Sequence, residues 1–494
     1  MDFSKVETVG IIGAGVAGLA TARSLMTIGK QCTLFERSSQ LGGVWSDGYI
    51  NFGVQVQREL YEFPDWPIPE NTPDFASGPI IEKYLSDFSD HFKITPHIQF
   101  NSTVTGIKEM DGPNSEWSIT STIGEIRRNY EFDLVVICIG LYSNIPNIPE
   151  YPDKDKFLGE VIHNSSLKSE DQLRNKRVAV VGYGKSATDA ALEAANAASE
   201  THIIFRTPHW PIPRKLAGIL PFKWGLLHRL NSTLIPPYQY ATTVEKAVHG
   251  IGKPLVWFYW RLVETLIRFQ CKLGPRFGSR VSLVPEKPIE IDAFGESTMI
   301  PRGDFYKCAR NGEINLHHAE IDHYTTSGLQ LSNGDAVDVD MVIMATGWKT
   351  DFGFVDSRVW QRLEPEDDGF YLYRHILHPD TPGLVFVGRA SSISSILTYC
   401  LQAHWLAKLI EGRVTLPEVS EIKENISEMK RWKRAWIPFS SSRSARLIAH
   451  TQHYHDELLR DFGANPMCKT GVFAPLKELI EPYGPADYST LLKR

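Results

Sequence analysis

Two sets of closely spaced glycines are the residues in this chain best suited to chemistry, because each can bring bare backbone against a phosphate. The first is Gly13, Gly15 and Gly18, in G-x-G-x-x-G spacing directly after the apolar run 9–12, with Ala17 inside it. In such a turn the first glycine permits the tight bend, the second lets the main chain approach a pyrophosphate, and the third lets the following helix pack close to the strand. The helix N-terminus then faces the phosphate charge. Glu36, with Arg37 beside it, ends a second apolar run, 32–35, where its carboxylate can accept hydrogen bonds from a ribose diol. These residues define a dinucleotide cradle and leave NAD and FAD both open. The second set is Gly182, Tyr183, Gly184, Lys185, Ser186 and Ala187, after the apolar run 178–181, with alanine in the third position, which the motif allows. Here Arg206, followed by Thr207, stands where Glu36 stands in the first unit. A guanidinium pairs with phosphate in bidentate fashion, so the exchange favours the 2′-phosphate of NADPH over NADH. His209, Arg214 and Lys215 extend the expected positive edge.

Such turns need strands and helices to hold them. The patterns predict a helix over 19–26 stopped by Gly29, an amphipathic helix over 80–92, short strands at 98–100 and 103–107, and an antiparallel ribbon over 117–130. Buried strands follow at 133–140, 203–205, 340–347 and 384–388. A hairpin turns at Asn333-Gly334, and helices cover 189–197, 398–411 and 454–459. Strand, glycine turn and helix occurring twice predict an α/β fold with two Rossmann-like doubly wound domains, the first of them discontinuous. The expected boundaries are 1–170 for the first part of one domain, 171–345 for the other, and 346–494 for the remainder of the first with C-terminal helices. Residues 51–69 read as a loop rich in proline and aromatic residues. Residues 216–282 have no place in a βαβ unit. Their apolar core, 255–269, is too short and too charged to span a bilayer, which takes about 20 largely apolar residues. A helical cap over the active site, an interfacial membrane contact and a subunit interface all remain open; the cap is the expected reading, and it implies a bulky apolar substrate.

With 42% hydrophobic and 22% charged residues among 494, the chain is long enough for two or more domains. A net charge of −6 argues against a nucleic-acid partner, which usually meets a basic face. The first strand begins too near Met1 for a secretory signal, and six scattered cysteines without a C-x-x-C pair suggest neither zinc nor a redox disulfide. A cytoplasmic location is expected.

Leu41-Gly42-Gly43-Val44-Trp45 resembles the GGxW turn of the class B flavin-containing monooxygenases, and other signatures agree. Gly140, Tyr142, Ser143 and Pro146 resemble the family's T-G-x-Y-S-x-P. Phe157, Gly159 and His163 fit its F-x-G-x-x-x-H, although Leu167 stands where an aromatic residue is usual. Ala345-Thr346-Gly347 resembles its second linker, and Gln402-Ala403-His404-Trp405 its Q-A-x-W helix. The resemblance runs from Val9 to about Gly463, apart from 216–282. It implies FAD at Gly13, Gly15, Ala17, Gly18, Glu36, Arg37, Gly43, Val44, Trp45, Val104 and Gln402, with NADPH at 182–187, Arg206, Thr207, Ala345, Thr346 and Gly347. Gln55 occupies the catalytic position at which N-oxygenating relatives carry asparagine. The implied activity is FAD- and NADPH-dependent oxygenation, through a flavin C4a-hydroperoxide and O2, of a nucleophilic nitrogen or sulfur on a bulky apolar molecule such as an alkaloid. Baeyer-Villiger oxygenation of a ketone is the alternative; a pyridine-nucleotide disulfide reductase and a flavin-binding protein without turnover are more remote. The 216–282 segment offers a surface for a homo-oligomer.

Overall fold

The computed structural model of the chain describes residues 2–110, 116–142, 145–274 and 281–492; Ser143 lies outside the described residues. Two parallel five-stranded sheets organise it. In the first the order is Leu384–Phe386, Leu134–Ile137, Thr8–Ile12, Gln31–Phe35, Ile98–Gln99. In the second it is Asn315–His318, Glu200–Phe205, Arg177–Val181, Met341–Met344, Glu160–His163. Sheets of this kind are covered on both faces, which is why Leu134–Ile137 and Met341–Met344 are uninterrupted apolar runs, buried throughout. A parallel neighbour can be reached only through a crossover. The helices Val16–Thr27 and Lys185–Ala197 provide it, each directly after a glycine turn.

The two units repeat one plan. Each also carries a three-stranded antiparallel ribbon: Thr103–Glu109, Trp117–Ile123 and Ile126–Phe132 in the first, Ile321–Tyr324, Gly328–Leu331 and Ala336–Asp338 in the second. The first unit is discontinuous, since its edge strand Leu384–Phe386 arrives only after the whole second unit has been built. The boundary differs from the expected residue 170: Glu160–His163 pairs with Met341–Met344 in parallel register, so the second unit begins ahead of residue 171. Between the units the chain crosses twice, and the two crossings, Ile145–Pro146 and Trp348–Lys349, pair antiparallel.

Residues 216–282 are mainly helical where they are described, with Phe222–Leu226, Arg229–Ser232, Thr243–His249 and Lys253–Cys271. Toward the C-terminus, Ser395–Ile410 is buried along nearly its whole length, and Thr451–Asp461 packs beside it. No helix among the described residues is long and apolar enough to cross a membrane.

Candidate active site

At the carboxyl end of the first sheet the glycines are required by space. Gly13 has φ +100°, and a side chain there would meet the Cys138 carbonyl oxygen at 2.7 Å. A Cβ on Gly18 would fall 1.9 Å from the Gly13 carbonyl oxygen, so the helix can sit this close to the strand only without one. The two glycine turns run back to back: a Cβ on Gly43 would lie 3.3 Å from Gly15 Cα, and the Gly42 N–H donates to Ala14 O at 2.9 Å. Gly15 caps Val16–Thr27 without a side chain, leaving the first N–H groups of the helix to an anion. This bare double turn fits an FAD pyrophosphate.

Glu36 is buried beneath it. One carboxylate oxygen accepts from Ala14 N and the other from Ser38 N, both at 2.9 Å. The carboxylate therefore shapes the loop first, and its remaining lone pairs stay free for a ribose hydroxyl. Ser102 N donates to Glu36 O at 2.8 Å, which brings the strand carrying Val104 alongside. Arg37 and Val44 are exposed. Trp45 turns inward, stacked on Phe52 at 5.7 Å and donating from Nε1 to the Tyr61 hydroxyl at 3.0 Å. Gln402 is wholly buried, and its amide is spent within the protein: Oε1 accepts from Gly388 N at 3.0 Å while Nε2 donates to the Tyr454 hydroxyl at 2.8 Å. It holds Gly388, where a Cβ would lie 2.8 Å from that of Ala17, so it braces the cradle from behind.

The second cleft repeats this geometry with a difference in side chains. Gly182 has φ +127° and sits against Ala345 O; a Cβ on Gly184 would meet nothing within 4 Å, so open backbone is presented at the start of Lys185–Ala197. Ala187 lies buried against Gly182. Tyr183 points away from the cleft into the core, between Phe205 and Phe305. Lys185, expected at the phosphate, pairs along its own helix with the fully buried Asp189, and burial lowers its pKa; Ser186 is half-buried. Arg206 and Thr207 are exposed at the end of Glu200–Phe205, and the Arg206 carbonyl accepts from His318 Nε2. Of the wider positive edge, Lys215 is exposed, whereas His209 turns to Asp292 at 2.7 Å and Arg214 lies over the Phe75 ring at 3.8 Å. Ala345-Thr346-Gly347 is clasped from two sides: Asn147 bonds Thr346 and Gly347, and His163 Nε2 lies 3.0 Å from Gly347 O. That contact explains the F-x-G-x-x-x-H spacing, for the Phe157 ring covers Gly159 so closely that a Cβ would fall 2.3 Å from it.

Sequence reasoning missed what joins the clefts. On the helix that starts at Gly184, Lys185, Asp189 and Glu193 recur every four residues on one face, a spacing legible in the sequence. Asp189 accepts from the Tyr49 hydroxyl at 2.8 Å, and Glu193 accepts from Asn51 Nδ2 at 2.9 Å and pairs with Arg302. Tyr49 and Asn51 belong to the segment that continues from the Gly-Gly turn to Gln55. Gln55 Oε1 accepts from Ile300 N of the second unit at 3.2 Å. The second cleft is thereby held against the first.

An apolar cavity opens at the N-terminal end of Ser395–Ile410. Leu226, Leu227 and Ile235 of the insertion form one wall, Ile393 and Leu397 another, and none of the residues lining it is acidic. Ser394 Oγ reaches Leu60 O, tying the cavity to the segment that carries Gln55. His455, also in the lining, is pushed by burial down to about 3 and so is uncharged. The first part of the insertion thus lines this cavity, and no residue of Lys253–Cys271 does.

Two dinucleotide cradles, one followed by an acid at the end of its second strand and one by an arginine, define a two-nucleotide protein. The chain belongs to the flavin-binding monooxygenase-like family, whose model matches residues 6–247 and 298–481. It is an oxidoreductase of the monooxygenase type with FAD and NADPH as cofactors. A probable flavin-containing monooxygenase 1 from Arabidopsis thaliana is 29% identical over 97% of this chain and 96% of its own length. Flavin-containing monooxygenase 3 of Canis lupus familiaris is 26% identical over 93% and 83%. Among solved structures, S-allyl-L-cysteine S-oxygenase from Allium sativum superposes with a TM-score of 0.63 at 22% identity, covering 95% of this chain and 90% of that one. A steroid monooxygenase bound to NADP gives 0.70 at 18%, covering 92% and 97%. Both structural likenesses speak for the fold.

Proposed function

We propose that the protein transfers one oxygen atom of O2 to a nucleophilic nitrogen or sulfur of a bulky apolar small molecule, the second atom leaving as water with the two electrons of NADPH. The observation that carries this reading is the cavity beside the Gln55 segment, apolar and without an acidic side chain. A carboxylate would attract an ammonium cation, whereas this lining admits a neutral molecule whose lone pair is free. Bound FAD, once reduced, supplies the activated oxygen. The chain's own residues do the rest. Leu226, Leu227, Ile235 and Leu397 exclude water, as reactive intermediates require; Trp45 and Tyr61 fix one another by ring contact and a hydrogen bond; Gln55, held by Ile300 N, offers its amide nitrogen as donor. No acid-base dyad is needed, since the cofactor carries the difficult chemistry.

Substrate-dependent oxygen uptake by the purified yellow protein with NADPH, followed by mass spectrometry of the product, tests the reading. An unbroken skeleton bearing one added oxygen as N-oxide, hydroxylamine or sulfoxide is expected. An ester or lactone from a ketone would overturn it in favour of Baeyer-Villiger chemistry.

A further inference from the structure

The helix Lys253–Cys271 has two apolar sides. Trp260 and Ile267 face the core. On the opposite side Leu255, Phe258, Leu262 and Leu266, continuing the line of Ile251 just before the helix, recur every three or four residues and so stand in one row. All are exposed, from 39% for Leu266 to 94% for Ile251. A helix on the surface of a water-soluble domain turns polar residues outward. This one turns its second apolar row outward instead.

Charge around the row is one-sided. Residues 214–272 contain nine lysines and arginines against two acids, in a chain whose net charge is −6. Both acids point inward. Glu245 is bound by Thr242 N and His453, and Glu264 by Ile289 N and Arg261. Lys246, Lys253, Arg268 and Lys272 are exposed. Among residues 214–272 the exposed charges are therefore cations alone, beside a strip of leucine and phenylalanine. The row falls within residues 248–297, the one internal stretch that the family model leaves unmatched.

We propose that this face docks on an anionic lipid surface, with the helix lying in the plane of the interface. An apolar side sunk to the level of the acyl chains, with lysine and arginine reaching up to the headgroups, is the arrangement that holds interfacial helices. Each cation near an anionic leaflet adds to the attraction. A second copy of the chain fits less well, because a two-fold contact sets the same patch against itself and would bring the two surpluses of positive charge together without an exposed acid from this segment between them. The docking does not depend on which substrate is oxygenated.

The test is sedimentation of the FAD-loaded protein with phosphatidylcholine vesicles, either pure or containing about one third phosphatidylserine. Binding to the anionic vesicles, at least about tenfold weaker to the neutral ones and reversed by high salt, is expected. Leu255→Ser with Leu262→Ser, and separately Lys246→Glu with Lys253→Glu, should each lower binding by about tenfold or more while FAD content stays at the wild-type level. Wild-type protein that stays in the supernatant with anionic vesicles overturns the proposal, as do variants that bind as well as wild type. A wild-type dimer in vesicle-free buffer that the leucine variant converts to monomer overturns it too, assigning the face to a second copy.

Discussion

Replacing Gly18 with alanine probes the first cleft most directly. The new Cβ would sit 1.9 Å from the Gly13 carbonyl oxygen, where non-bonded heavy atoms rest at roughly 3.5 Å. Helix Val16–Thr27 and strand Thr8–Ile12 must then separate by more than an ångström, and the obstacle is backbone, which cannot swing aside as a side chain does. Overpacking of this kind costs about 1–3 kcal/mol, and an obstacle of backbone puts this case at the upper end. If the strain falls on the FAD-bound geometry, about 3 kcal/mol weakens FAD binding by roughly a hundredfold. The second cleft supplies the control, because Ala187 already holds the equivalent place without a clash. Ala187→Gly loses only helix propensity and a buried methyl group, together about 1–2 kcal/mol of stability. Titration of each apoprotein with FAD, and of each holoprotein with NADPH, reads the outcome. Gly18→Ala protein that binds FAD within about twofold of wild type would refute the reasoning.

Other expectations follow from the same geometry. Tyr49→Phe leaves buried Asp189 short of one donor and should lower stability by about 1–3 kcal/mol, seen as a drop in thermal midpoint; an unchanged midpoint would show that the contact carries nothing. Arg206→Ala should raise the KM for NADPH by about tenfold or more while leaving that for NADH nearly alone, if the guanidinium meets the 2′-phosphate; equal effects on both would remove that role. Burial holds His455 down to about 3 from its usual 6.5. The unfolded chain therefore takes up a proton that the folded chain refuses, and this residue's contribution to stability, complete above pH 6.5, is lost as pH falls from there toward 3. His455→Gln should flatten the pH slope of urea unfolding in that window, and an unaltered slope would count against it. Because the cavity lacks an acid, kcat/KM for an amine should fall about tenfold for each pH unit below the amine's own pKa, while a thioether shows no such fall; parallel profiles would speak for a bound ammonium.

The plan of the molecule was legible because glycine spacing, apolar runs and terminal charges are local signals. Gly13, Gly15 and Gly18 announce a strand, a turn and a helix within a few residues, and Ala345-Thr346-Gly347 marks a strand end in the same way. Side-chain direction was not legible. Lys185 sits in a phosphate loop by sequence, yet the helix period that begins there puts Asp189 one turn away, and the nearer charge wins. Gln402 lies in a recognisable motif, but which group its amide meets depends on Gly388 and Tyr454, distant in the chain. The joint between the clefts escaped for the same reason, since Tyr49 and Asp189 are 140 residues apart. Length and charge excluded a bilayer-spanning segment at 255–269, but only the packed structure separates its inner row from its outer one.

The paired crossings Ile145–Pro146 and Trp348–Lys349 make a single short ribbon, and once the side-chain contacts of Tyr49, Asn51 and Gln55 let go, a body whose chain connections run through one ribbon turns about it as a wheel turns on an axle. Any swing that carries the nicotinamide half toward the isoalloxazine ring or away from it must twist Asn147, His163 and Gly347 together. Loosening that bearing would alter electron delivery and the grip on spent nucleotide in step, even though none of the three residues need touch the molecule being oxygenated.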